Sequence, residues 1–164
     1  MGHAPREKKT MDKPATIGMT DAVDIETVAM MSEAVPEKPE AALLIRQMIS
    51  FTATYDHIVD HDDWATDDIH TMVDILLHGL WVNKFYTENV VSFMPIIMNA
   101  IHSWKFAENN PAYRLKVGDI LSELGCAILY VTGGLTRLNE WGGKWRGQVL
   151  ILMKDSDNNK IGDK

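Results

Sequence analysis

Six side chains have the types and spacing of metal ligands. His70, Asp74 and His78 recur at intervals of four. That spacing stacks them in one column along a helix, as two or three ligands of one ion would stand. His57 and His61 are also four apart, and Asp62 follows directly. His102 with Asn99, and Asp119 with Glu123, add polar groups further along. Helical bundles hold metals through inward carboxylates and histidines from facing helices. If these groups met in that way, the chemistry would be metal-dependent hydrolysis. The plainer reading competes well. A His/Asp column opposite an apolar stripe is what a solvated helix face looks like. The paired Glu-x-x-His motifs of di-iron bundles are absent. The solvated face is preferred, so no cofactor is expected, with a divalent metal ion as the alternative.

Other reactive types lack a setting. Cys126 sits mid-helix among apolar neighbours and reads as a buried, inert thiol. There is no Gly-x-Ser-x-Gly turn for a serine nucleophile. Gly133–Gly134 and Gly142–Gly143 lack the Lys-Ser/Thr and strand–turn–helix context of a phosphate loop. Asp155-Ser156-Asp157 starts like a calcium loop, but Lys160 stands where its glycine belongs. The aromatic residues carry more. Trp81, Phe85 and Tyr86 cluster at one predicted turn, and Trp141 and Trp145 flank a glycine-rich stretch. Such residues either pack over the ends of a bundle or stand out for a partner. All five are therefore candidate partner-binding residues.

These groups have to be positioned by helices. Leu44, Met48, Phe51, Tyr55 and Ile58 draw one apolar stripe over about 39–60. A second helix begins at Thr66, an N-cap followed by Asp67 and Asp68 at the positive end of the dipole. Its stripe is Ile69, Met72, Val73, Leu76, Leu77 and Leu80. A third takes Thr87 as N-cap, with Tyr86 and Val91 as a hydrophobic staple. It carries Val90, Val91, Met94, Ile97, Met98, Ile101 and Trp104, and Pro95 should kink or split it. The fourth starts at Asn110–Pro111, buries Leu115, Ile120, Leu121, Leu124, Ile128 and Leu129, and stops at Gly133–Gly134. Trp141 to Trp145 reads as a loop, and Gln148 to Met153 as a short helix. The expected fold is all-α, an antiparallel four- to five-helix bundle over 39–154. Residues 1–38, with three prolines and almost no aromatics, read as a disordered tail and linker. Within them Asp24 to Ala34 could form a transient helix or a docking segment. Residues 155–164 read as a polar tail.

Composition narrows the function. The 164 residues carry a net charge of −7, which argues against a nucleic-acid partner, since neutralising phosphates needs a local excess of Lys and Arg. One cysteine permits no intrachain disulfide, so a reducing, cytoplasmic setting is expected. No signal peptide or membrane span is expected, because Ile120 to Leu135 is short and interrupted by Glu123. Ten methionines are explained first by adaptable core packing and second by a partner surface.

Two resemblances arise. The adjacent His61–Asp62 pair resembles the pair that names a family of metal-dependent phosphohydrolases. There the pair lies inside a helical core, with a further His upstream and an Asp downstream. His57 and Asp119 would have to fill those places, and a spacing of four is too short for the first, so the activity is not carried over. Trp81-x-Asn83-Lys84-Phe85-Tyr86-x-x-Asn89, with Pro95, Ala100 and Trp104, resembles small helical proteins of tailed bacteriophages. That resemblance implies a virion-associated or host-interacting protein, in the virion or host cytoplasm, and transfers no active site. The leading expectation is a non-enzymatic interaction or structural protein, a homo-oligomer or the partner of a larger protein. The metal-dependent hydrolase is second. An acidic inhibitor is third, because its carboxylates are scattered apart from Asp60 to Asp68.

Overall fold

The computed structural model describes residues 22–60, 66–108 and 120–161. Residues 1–21 of the expected tail, the break at Asp62–Trp64, and the Asn110–Pro111 start with Leu115 and Asp119 lie outside the described residues. Among the described residues the chain is all-α, with no strand.

Helix α1, Ala22–Ala34, belongs to the fold and not to a tail. It ends where Val35 precedes Pro36, because a proline pushes the residue before it out of the helical region. The face it buries is Thr27, Met31 and Ala34, continued by Val35, and Thr27, Met31 and Val35 are wholly inaccessible. Ile25, on the same helix, is exposed. Among the described residues, packing therefore extends back to α1, ahead of the expected boundary at 39.

Helix α2, Pro39–Asp60, is the centre of the fold. It packs on α1, on the rod that follows and on the last helix. Leu44, Ile45, Met48 and Phe51 are buried to 1% exposure or less. Each such side chain contributes about 1.5–3 kcal/mol from burial alone. The rod after it consists of α3 (Thr66–Asp74), a π turn (Ile75–Gly79) and α4 (Leu80–Val82). The backbone N–H of Leu80 donates to the Ile75 carbonyl, five residues back. Gly79 lies against α2, where a Cβ would come within 2.9 Å of Gln47 Nε2.

The junction after the rod is built by Asn83, which is 2% exposed. Its side-chain oxygen accepts from the Tyr86 N–H at 3.0 Å, capping α5, Lys84–Glu88. Its Nδ2 donates to the Glu40 carbonyl at 2.9 Å, tying the cap to the start of α2. Thr87, the expected N-cap, is inside α5, and its hydroxyl donates back to the Lys84 carbonyl. Asn89 turns the chain into α6, Val90–Glu108, with its Nδ2 donating to the Phe85 carbonyl at 2.9 Å. Helix α6 runs through Pro95 as one element. It buries Phe93, Ile97 and Ala100, while Val91 is 85% exposed, so the expected Tyr86–Val91 staple does not form.

The last element, α7 (Ile120–Ile161), is a helical hairpin. Gly134 breaks it with φ 63° and ψ −157°, a conformation open essentially to glycine alone. The second limb then packs back on the first. Trp145 Nε1 donates to the Leu121 carbonyl at 2.9 Å, and its ring lies where a Cβ on Gly125 would be. The stretch Trp141 to Trp145, expected as a loop, is helical for this reason: the glycines cost helix propensity, and the docked tryptophan offsets it. Gln148 Nε2 donates to Thr27 Oγ1 at 3.2 Å, and Arg137 pairs with Glu37, so the limb also clamps α1. The contacts 27 to 148 and 37 to 137 run in opposite senses, as in antiparallel packing.

Candidate functional site

Of the six metal candidates, the structure describes the side chains of His70, Asp74 and His78. All three are exposed, on the outer side of the α3 rod. Asp74 and His78 keep 74% and 69% of their side-chain surface, with His78 Nδ1 3.5 Å from Asp74 Oδ1. That pair lies one turn apart on a single helix, in water. His102 on α6 is exposed as well. The His57 side chain, His61 and Asp62 lie outside the described residues. Among the described residues no three His, Cys, Asp or Glu side chains come together as a metal would require.

The five aromatic candidates divide. Trp81 is 52% exposed and meets Tyr86 edge-on, with ring centroids 6.0 Å apart. Trp141 is half-buried, with Lys144 Nζ 4.3 Å above its ring. Phe85, Tyr86 and Trp145 are buried at 3%, 0% and 1% exposure, so they are packing groups and not displayed ones. Phe85 and Tyr86 both stack near Phe93 of α6, at 5.5 and 6.5 Å. Burial also pushes the Tyr86 phenol above its ordinary pKa of 10.0. The pattern Trp81 to Asn89 thus has a structural meaning: a rod end, a cap, two core rings and a turn.

Cys126 is buried, and desolvation raises its thiol above the ordinary value. The nearby Arg146 works against that rise but is itself held by Glu123 at 3.1 Å. A protonated, covered thiol is a poor nucleophile. Two clefts among the described residues offer little more. One, of about 240 Å³, lies between α6 and α7 and is lined mainly by Pro95, Ile96, Asn99, Ala100 and Glu123. The other, polar and of about 190 Å³, lies between Glu37–Glu40 and Lys84–Glu88.

The surface that sequence periodicity missed is apolar. Val73 and Leu77, both expected in the buried stripe of their helix, are 42% and 71% exposed. With Trp81 and Val82 they run along the outside of the rod. On α6, Val91 and Met98 also face outward, and at the tip of the α7 hairpin Tyr130 and Leu135 do so. The only sequence signal for this was the excess of apolar residues on these helices beyond what one stripe can bury. No helix among the described residues is long and apolar enough to cross a membrane. No family model matches the chain, and no curated protein or solved structure is significantly similar to it, so no comparison links it to the phage proteins that its Trp81–Trp104 spacing resembles.

Proposed function

We propose that this chain is a non-enzymatic interaction protein, which works by associating with copies of itself or with a larger protein partner. One observation carries the reading. Large apolar side chains stand outside the core on three separate elements: Leu77 on the rod, Val91 on α6 and Leu135 on α7 are each at least 65% exposed. Single exposed apolar residues are ordinary, but Val73, Leu77, Trp81 and Val82 stand exposed together on the rod, and grouped apolar residues mark interaction surfaces. All of these side chains lie outside the core cluster that the described residues form. A reducing compartment suits the reading, with the cytoplasm, or a virion if the phage resemblance holds, as its setting.

The test is a set of three charge substitutions, Leu77→Glu, Val91→Glu and Leu135→Glu, in the full chain. Each residue is mainly exposed, so folding by circular dichroism and urea midpoint should stay within about 0.5 kcal/mol of wild type. At least one should abolish concentration-dependent association or binding of a hydrophobic dye. If wild type binds no such dye and none of the three changes any association, the reading fails.

A further inference from the structure

We propose that the outer stripe of the rod is a self-pairing face, on which a second copy of this chain docks antiparallel across a two-fold axis at Leu77. The inference rests on the interaction reading above and names its partner and surface.

The π turn supplies the first argument. In a regular α-helix residues four apart drift by about 40°, so Val73, Leu77 and Trp81 would wind about 80° around the axis. A turn closed by an i→i+5 bond holds roughly 4.4 residues, and four residues that span part of it return to nearly the same angle. Leu80 makes that bond to Ile75, between the first and last members of the stripe. The three side chains therefore stand in a line parallel to the rod, as a flat helix-to-helix contact requires. They are 42%, 71% and 52% exposed.

Size and charge then select a second copy as the occupant. An antiparallel pair with its axis at Leu77 sets Leu77 on Leu77, and Val73, the smallest of the three, on Trp81, the largest. Large against small keeps the two rods at an even distance, and the contact is isologous, with each copy giving the same patch. The column beside the stripe is partly complementary to itself in the same register, where the two His78 rings also fall about 3 Å apart along the axis. His78 of one copy falls two residues, about 3 Å along the axis, from the level of Asp74 of the other. The two Asp74 carboxylates fall six residues, about 9 Å, apart along the axis. Each carboxylate thus gains an imidazole across the interface and avoids its own counterpart. Asp74 and His78 are exposed enough to make that exchange. A stripe of this length is smaller than the ~800 Å² per partner of a standard interface, so the dimer is weak and exchanges with monomer.

Cysteine cross-linking reads the register. In a Cys126→Ser background, Leu77→Cys alone should oxidise to a covalent dimer at high concentration. Val73→Cys and Trp81→Cys should not do so alone, but should cross-link when mixed. Independently, Leu77→Glu in the wild-type background sets two carboxylates on the axis, and should weaken the dimer at least about tenfold in sedimentation equilibrium with helix content unchanged. Dimers linked through Val73→Cys alone would mean parallel pairing and overturn the proposal. Association that persists in Leu77→Glu, with no Leu77→Cys dimer, would also overturn it while leaving the interaction reading intact through another face. A chain with neither cross-link nor association of any kind would sink both.

Discussion

A methyl group added at Gly125 puts the hairpin of α7 to a direct test. An ideal Cβ there would lie 1.9 Å from Trp145 Nε1, 2.1 Å from Cε2 and 2.6 Å from Cζ2. All three are closer than atoms can approach, so the indole has to leave. It is 1% exposed and its N–H is committed to the Leu121 carbonyl. Displacing it costs about 1–3 kcal/mol for a buried polar group left without its partner. Forcing volume into a packed interior adds typically 1–3 kcal/mol. Against these stands the helix propensity of alanine over glycine, about 0.5–1 kcal/mol. Gly125→Ala should therefore destabilise by roughly 1–5 kcal/mol, read as a fall in the urea midpoint with an unchanged slope. The sign is decisive. If the second limb did not fold back on the first, the same substitution would be an ordinary glycine-to-alanine change inside a helix and would stabilise. A raised midpoint would therefore refute the hairpin.

Asn83→Ala removes the α5 cap and the bond to Glu40 together. It should cost about 1–3 kcal/mol, measured by urea unfolding, and Asn83→Asp should not rescue it, because a carboxylate cannot donate to the Glu40 carbonyl. Gly134→Ala forces a Cβ into a conformation that only glycine tolerates, with nothing else near it. It should destabilise by about 1–3 kcal/mol and shift the thermal midpoint down. The Glu37 carboxyl is held below its ordinary value of 4.5, first by the hydrogen bond from Arg137. Its contribution is thus complete above that value and is lost as pH falls below it. Since the pair is partly exposed, wild type should lose no more than ~1 kcal/mol relative to Glu37→Gln between pH 6 and pH 3 in unfolding titrations.

What could be read in the sequence was the local part. Leu44, Met48 and Phe51 repeat at helical spacing and are buried in α2, and Ile120, Leu124 and Ile128 do the same in the first limb of α7. Gly133–Gly134 marked the end of that limb because a positive φ needs glycine. The second limb was opaque. Gly142, Gly143 and Gly147 lower helix propensity, and what overrides them is a contact between residues 145 and 125 that no window of sequence contains. The same holds for α1, whose place depends on Thr27 meeting Gln148 at the far end of the chain. Side-chain direction was the other gap. The column of His70, Asp74 and His78 reads as a solvated face and is exposed, but the edges of the apolar stripe were misread. A regular helix counted Val73 and Leu77 as core, whereas both stand exposed at the edge of that stripe. Phe85 and Tyr86, kept as candidate partner-binding residues with packing as the other reading, are the residues by which the Asn83 junction is packed.

The interaction account is tested most directly by the mass of the untagged full chain in sedimentation equilibrium, taken from micromolar to near-millimolar concentration. The account predicts an average mass that rises with concentration and returns toward the monomer when Leu77 is replaced by Glu. A monomer mass throughout, together with no binding of a hydrophobic dye to the folded chain, would contradict it.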